Sequence, residues 1–69
     1  MKAEEIRHLP IGIRVRGKLR EGTIAQSMRY GKGIRLDKWD YLFDDDLHGF
    51  NGRSDENIEG LVTEVITAF

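Results

Sequence analysis

Apolar and polar side chains alternate along the first half of the chain. In residues 11–16, Ile11, Ile13 and Val15 share one side of an extended segment, and two arginines occupy the other side. This period of two is typical of a half-buried β-strand. Residues 23–30 predict a second strand, which follows a loop or bulge bounded by glycines. The pattern therefore predicts antiparallel strands joined by short connections.

Short elements flank these two strands. Residues 2–9 contain good helix formers, with Ile6 and Leu9 three positions apart. Pro10 follows and ends the segment, so one or two helical turns are expected there. After the second strand, the sequence YGKG at 30–33 predicts a tight turn, because glycine tolerates positive φ at little steric cost.

The segment 33–43 changes the phase of its apolar positions. Ile34 and Leu36 share one face, whereas the aromatic residues further along fall on the opposite face if the strand continues. A two-residue turn at positions 37–38 removes this conflict, because the residues that flank such a turn are cross-strand neighbours on the same face. The expected pairs are Leu36 with Trp39 and Ile34 with Tyr41.

The C-terminal third begins with turn formers and ends in an ambiguous apolar segment. Residues 44–57 are rich in Asp, Asn and Gly and predict an acidic surface loop. The apolar residues of 58–69 match helical spacing, with Ser54 or Asp55 as the N-cap. Gly60 and the β-branched residues that follow it favour a strand instead. Helix and strand both stay open for 58–69.

Together these elements predict a mainly β fold, either a small SH3-like barrel or a bent antiparallel sheet of four to five strands. A short N-terminal helical turn precedes the strands, and a helix or strand ends the chain. Residues 9–43 resemble SH3-like small β-barrels of the KOW and Tudor type. Residues 12–15 match the G-x-x-V that opens the first strand in that family, and 22–24 match the G-T-I that opens the second.

This resemblance implies a barrel that binds nucleic acid, ribosomal components, or peptides and other proteins. The acidic loop and a helical C-terminus depart from the family pattern.

Length and composition narrow the classes of protein. Sixty-nine residues without cysteine predict one small domain, 1–69, stabilised by core packing or by a partner rather than by disulfides or zinc. We find no apolar run near the ~20 residues of a transmembrane helix, so a cytoplasmic protein without a membrane role is expected. A homodimer is one way for so small a core to gain stability.

Charge is divided between the two parts of the chain. Residues 1–42 carry ten Lys/Arg and five Asp/Glu (+5), residues 43–69 carry one and seven (−6), and the sum is −1. Basic side chains around one tyrosine form a candidate face for nucleic acid or an acidic partner. The alternative is the solvated side of a sheet. The candidate residues are Arg14, Arg16, Lys18, Arg20, Arg29, Tyr30, Lys32 and Arg35.

The aromatic residues and the acidic loop suggest a second kind of site. Trp39, Tyr41, Phe43 and Phe50 could line a peptide groove or form the core. We expect Phe50 to be exposed, since glycines and polar residues surround it, and an aromatic at a loop tip can anchor a partner. The predicted partner-binding loop comprises Asp44, Asp45, Asp46, His48 and Phe50.

A metal site and a catalytic site have less support in the sequence than the two binding surfaces. Asp44, Asp46, His48 and Asp55 have some of the spacing of a calcium loop. The match is poor, because histidine replaces an oxygen ligand and aspartate replaces the bidentate glutamate of the twelfth position. Neither a nucleophile motif nor a P-loop is present in the sequence. We therefore expect no enzyme activity, no cofactor and no metal.

The sequence thus predicts a non-catalytic binding module, an accessory or regulatory protein. Because acidic and basic charges nearly cancel, a protein partner is favoured over nucleic acid, which usually requires an uncompensated basic field. Nucleic-acid binding through the basic strand face is the first alternative, and a metal-binding acidic loop is the second.

Overall fold

The computed structural model describes residues 1–18, 20–37 and 47–67. Within them, five strands and two short helices follow one another along the chain. In chain order the elements are α1 (Ala3–Arg7), β1 (Arg14–Arg16), β2 (Glu21–Ser27), β3 (Gly31–Leu36), β4 (Leu47–Gly49), α2 (Asp55–Leu61) and β5 (Glu64–Thr67). The mainly β fold class predicted from the sequence is confirmed.

All five strands belong to one antiparallel sheet with the order β4-β3-β2-β1-β5. The last strand therefore returns to pair with the first. Ile34 has Ile24 and His48 as its two cross-strand neighbours. The register between β1 and β5 shifts after Arg14, a bulge that places Val15 opposite Val65.

Both helices cover the same face of the sheet, and the core lies between the two layers. Val15, Ile24 and Ile34 supply the sheet side of this core, and each is completely buried. The helices and the segments next to them supply the other side. The remaining buried members of the cluster are Ala3, Ile6, Ile13, Leu36, Phe50, Ile58 and Val62.

Side chains from elsewhere in the chain satisfy the ends of the short helices. The backbone N–H of Ala3, at the start of α1, donates to Glu59 Oε2 at 2.9 Å. At the other end, Lys32 Nζ donates to the carbonyl of Arg7 at 2.7 Å. In α2 the Ser54 hydroxyl accepts from the N–H of Asn57, as the sequence predicted for an N-cap. A five-residue helix needs such contacts, because isolated helices of this length are unstable in water.

The ambiguous C-terminal segment contains both a helix and a strand. The helix α2 ends at Leu61, and Val62 is extended with φ −132° and ψ 110°. Thr63 then donates its N–H to the carbonyl of Arg16 at 2.7 Å, which starts the pairing of β5 with β1. Ile58 and Val62, at helical spacing, are buried, whereas the β-branched residues after them enter the sheet. The helical spacing was therefore correct for residues 58–61, and the preference of the β-branched residues for a strand was correct for 64–67.

Several predicted details are wrong. Ile11 is 49% exposed, because β1 begins only at Arg14 and Ile11 lies in the turn before it. The β2–β3 turn occupies residues 28–30, so the glycines of YGKG fall in β3 itself. Residues 47–49 form β4, and 55–57 begin α2, inside the segment predicted as loop.

The predicted hairpin at 37–38 is only partly within the described residues. Ile34 lies opposite Ile24 and His48, and its expected partner, Tyr41, lies outside the described residues. The other expected pair, Leu36 with Trp39, lies outside the described residues.

Candidate functional site

The candidate basic face does not form one surface. Arg14 and Arg35 flank Thr23 in the sheet and lie on the outer face, the side of the sheet away from the helices. Lys32 lies on the opposite side, where its ammonium group contacts α1. Lys18 and Arg20 belong to the loop between β1 and β2. Arg16 shares the outer face with Arg14, whereas Arg29 and Tyr30 occupy the tip of the β2–β3 hairpin.

Carboxylates in β2, in β5 and just after β3 pair with Arg14 and Arg16 on the outer face. Arg14 donates from Nη1 and Nη2 to the two carboxylate oxygens of Asp37, at 2.9 and 2.7 Å. Arg16 bridges Glu21 and Glu64, at 2.8 and 2.7 Å. The hydrogen bond from Arg14 is the main reason why the pKa of Asp37 is lowered. Neighbouring strands therefore neutralise these two arginines.

This pairing weakens the case for a phosphate-binding outer face. Counterion release, which supplies much of the affinity for nucleic acid, requires cations that are free to neutralise phosphates. A phosphate at Arg14 or Arg16 would have to displace a carboxylate that already makes short hydrogen bonds. Arg20 also bonds within the fold, through Nη1 to the carbonyl of Asp37 at 3.2 Å. For Arg14 and Arg16, these ion pairs favour the solvated sheet face, the alternative that the sequence left open.

The predicted exposure of Phe50 is wrong. Its side chain is 3% exposed and belongs to the hydrophobic core. The N–H of Phe50 donates to the carbonyl of Lys32 at 2.9 Å, which holds this position against β3. Phe50 therefore cannot serve as an exposed partner anchor. The other aromatic candidates, Trp39, Tyr41 and Phe43, lie outside the described residues.

The remaining members of the predicted acidic loop are engaged or undescribed. His48 lies in β4, with its Nδ1 3.3 Å from Nη2 of Arg53. Asp55 accepts from Arg7 at 3.0 Å. Asp44, Asp45 and Asp46 lie outside the described residues, and among the described ones no three His, Cys, Asp or Glu side chains group as metal ligands.

An open groove of about 800 Å³ lies between the tip of the β2–β3 hairpin and the turn that joins β4 to α2. We call it the hairpin groove. Its lining residues are Met28, Arg29, Tyr30, Gly31, Leu47, Gly49, Asn51, Gly52, Arg53 and Asn57. Of these, only Arg29 and Tyr30 were singled out as exposed site residues from the sequence.

Glycines allow the two sides of the hairpin groove to approach closely. Gly31 has φ +71°, and a Cβ there would lie 2.8 Å from Nδ2 of Asn51. A Cβ on Gly49 would lie 2.8 Å from the carbonyl oxygen of Tyr30. The hairpin tip is further held by Ser27, whose hydroxyl accepts from the N–H of Tyr30 at 2.8 Å. The tip therefore packs directly against residues 49–51, and a side chain at either glycine would push it away.

An exposed apolar and aromatic surface forms the hairpin side of the groove. Met28 is fully exposed (107%), and Tyr30 is 45% exposed. The guanidinium carbon of Arg29 lies 5.1 Å from the centre of the Tyr30 ring, within the range of a cation–π contact. The tip thus presents a guanidinium over a phenol ring and, from the preceding residue, a fully exposed thioether.

Amide and guanidinium groups form the opposite side. Arg53 donates from Nε to the carbonyl of Gly49 at 2.8 Å and contacts His48 through Nη2. Asn51 and Asn57 add polar side chains to this side. Neither Met28 nor Arg53 was predicted as a site residue from the sequence. Met28 fell inside the predicted second strand, 23–30, so the pattern did not mark it as part of a turn.

Comparison with known protein families, curated proteins and solved structures finds no match. No helix among the described residues is long and apolar enough to cross a membrane. The chemistry of the hairpin groove is therefore the basis for a functional proposal.

Proposed function

We propose that the protein is a non-catalytic binding module that contacts a protein partner through the hairpin groove. The observation that carries this proposal is the full exposure of Met28 beside Tyr30, at a hairpin tip held by close backbone packing. Burying a methionine side chain of this kind contributes about 1.5–3 kcal/mol to association. A rigid tip also loses little conformational entropy on binding.

The types of residue in the groove support a protein partner. Methionine, tyrosine and arginine are enriched in protein interfaces, and tyrosine and arginine dominate their energetic centres. All three occur consecutively at positions 28–30. A binding role also agrees with what the SH3-like resemblance of residues 9–43 implies.

Nucleic acid is the second candidate, because Tyr30 and Arg29 could stack on an unpaired base. The ion pairs of Arg14 and Arg16 favour the protein partner. They remove two of the cations that would follow a phosphate backbone.

The test begins with site-specific photo-crosslinking in cells. Photoreactive p-benzoylphenylalanine replaces Met28 in one sample and Ile11 in a control, since Ile11 is also an exposed apolar residue but does not line the groove. We expect a protein crosslink from position 28 that unlabelled wild-type protein suppresses, and none from position 11. The captured protein is then identified by mass spectrometry and purified.

Titration of the purified partner gives the decisive result. Tyr30→Ala is expected to weaken binding by about tenfold or more, as for a central interface residue, while Ile11→Ala stays within about twofold. Equal crosslinking from both positions, or equal affinity of both variants, would overturn the proposal. A crosslink only to a second copy of this chain would identify a homodimer and exclude a different protein at this groove.

A further inference from the structure

We infer that the hairpin groove binds an acidic segment of its partner, with carboxylates paired to Arg29 and Arg53. This inference rests on the proposed function and specifies the chemistry of the partner. The segment would also carry an apolar side chain that contacts Met28 and Tyr30.

The pairing of the arginines distinguishes this groove from the rest of the surface. Arg7 donates to Asp55 at 3.0 Å, and Arg14 and Arg16 on the outer face have carboxylate partners at 2.7 Å. The two arginines of the groove instead contact uncharged groups among the described residues. Arg29 lies over the ring of Tyr30. Arg53 contacts a backbone carbonyl and an imidazole nitrogen.

Among the described residues, only positive charge lines the hairpin groove. Its ten described lining residues include two arginines and no aspartate or glutamate. The chain as a whole has 12 acidic against 11 basic residues, so this local composition differs from the average surface. Oppositely charged segments are attracted to such a surface and oriented by it.

Both guanidinium groups retain capacity for a carboxylate. Stacking on an aromatic ring uses the face of the Arg29 guanidinium and leaves its in-plane N–H groups available for a bidentate contact. Arg53 uses Nε and Nη2, and its Nη1 makes no hydrogen bond to the part of the chain that the structure describes. Each arginine can therefore donate hydrogen bonds to one carboxylate without breaking a contact in the fold.

An acidic peptide fits the groove better than a phosphate backbone does. Strong nucleic-acid affinity rests on about 6–10 phosphate contacts, whereas the groove supplies two guanidinium groups. The fully exposed Met28 adds an apolar contact that a backbone of phosphates and sugars would not use well. A nucleic acid is therefore an outcome for the test to exclude.

The test is a titration of the isotope-labelled full chain followed by amide NMR at low salt. The three probes are a nine-residue peptide of three Asp-Asp-Leu repeats, its Asn-Asn-Leu counterpart, and a nine-nucleotide oligothymidylate. We expect saturable shifts at amides 28–31 and 51–53 with the acidic peptide. The asparagine peptide should bind about tenfold more weakly, since its two carboxylate contacts are lost.

Variants at Arg29 test its predicted contact with a carboxylate directly. Arg29→Gln should weaken the acidic peptide about fivefold, and Arg29→Lys should lie between this variant and wild type. Lys2→Gln is the matched control, because it removes one positive charge from an exposed position outside the groove and should change affinity less than about twofold. Spectra that superimpose outside residues 27–31 show that Arg29→Gln is folded.

The outcomes separate this inference from the proposed function. Equal binding of both peptides at the groove amides would overturn the acidic preference and leave a protein-binding groove. Groove shifts from the oligonucleotide alone would overturn both proposals. The absence of shifts with all three probes would overturn the inference that the groove binds an acidic segment. The crosslinking from position 28 decides the proposed function separately.

Discussion

Arg14 and Asp37 are joined by two parallel hydrogen bonds, at 2.9 and 2.7 Å, across the outer face of the sheet. The same arginine also lies 3.7 Å from Glu21. Both side chains of the pair are partly exposed, so the pair is a surface contact of ideal geometry rather than a buried one. It explains why Arg14 does not add a free positive charge to the outer face.

The Arg14–Asp37 pair predicts a pH-dependent stability. The pKa of Asp37 is lowered in the folded state, so the unfolded state binds the proton more readily. The contribution of the pair is therefore complete above the unfolded value of ~3.9 and disappears as the pH falls through the lower folded value. Asp37→Asn should cost less than about 1 kcal/mol of unfolding free energy at pH 7, because exposure screens the pair.

Urea unfolding of wild type and Asp37→Asn between about pH 7 and pH 2 measures this difference. We expect the two stabilities to converge at the acidic end. A difference that persists there would assign the effect to packing and contradict the ionic explanation.

Phe50, just after β4, and Tyr30, just before β3, should differ strongly in the stability lost on truncation. Phe50→Ala removes a ring that is 3% exposed and should cost about 3–5 kcal/mol, enough to unfold much of a domain of this size. Tyr30→Ala removes an exposed ring and should cost less than about 1 kcal/mol. Urea unfolding compares them, with Phe50→Leu as a variant that keeps most of the volume. Similar costs for both alanine variants would contradict the buried position of Phe50.

The same substitution should have opposite effects at two glycines. A Cβ at Gly49 meets the carbonyl of Tyr30 at 2.8 Å, so Gly49→Ala should cost about 1–3 kcal/mol and shift the amide signals of the hairpin tip. In α2, a Cβ at Gly60 meets only the Cδ of Lys18, at 3.9 Å. Gly60→Ala should therefore raise stability by about 0.5–1 kcal/mol, because alanine is the better helix former.

Thermal unfolding of both variants provides the measurement. A stable Gly49→Ala protein with an unchanged tip would show that the hairpin does not approach residues 49–51 closely. A destabilised Gly60→Ala protein would indicate that this turn of α2 is not an ordinary helix.

The N-cap of α2, Ser54, should be replaceable by another side chain that accepts a hydrogen bond, but not by one that lacks an acceptor. Ser54 Oγ accepts from the N–H of Asn57 at 3.3 Å, so Ser54→Ala should lose about 1 kcal/mol. Ser54→Asp retains an acceptor and should restore stability to near the wild-type value. Chemical denaturation of the three proteins tests this order. If Ser54→Asp were as unstable as Ser54→Ala, the side chain would act through another contact.

Local physical rules explain what could be predicted from the sequence. Alternation placed Ile13 and Val15 in the core, and Ile34 and Leu36 on one face, because strand side chains point alternately to opposite sides. Ser54 was one of two N-cap candidates in the sequence, since an N-cap hydrogen bond reaches only three residues along the chain. Such rules need no knowledge of distant segments.

The hairpin groove could not be predicted from the sequence, because it depends on contacts between distant segments of the chain. Arg29 and Tyr30 were visible as a basic and an aromatic residue, but their groove also requires residues 47–53, which approach through β4. The expected anchor, Phe50, lies between glycines and polar residues and has the local pattern of a loop tip. Pairing of β4 with β3 turns it into the core instead.

The sequence alone determined a small, mainly β fold, the faces of its strands and the start of its second helix, because each depends on spacing between near neighbours. Only the tertiary structure decided which charges remain free. Arg16 is neutralised partly by Glu64, 48 positions away, and that contact exists only after β5 has paired with β1. The number of basic residues follows from the sequence, whereas the surface they form depends on the strand that lies beside them.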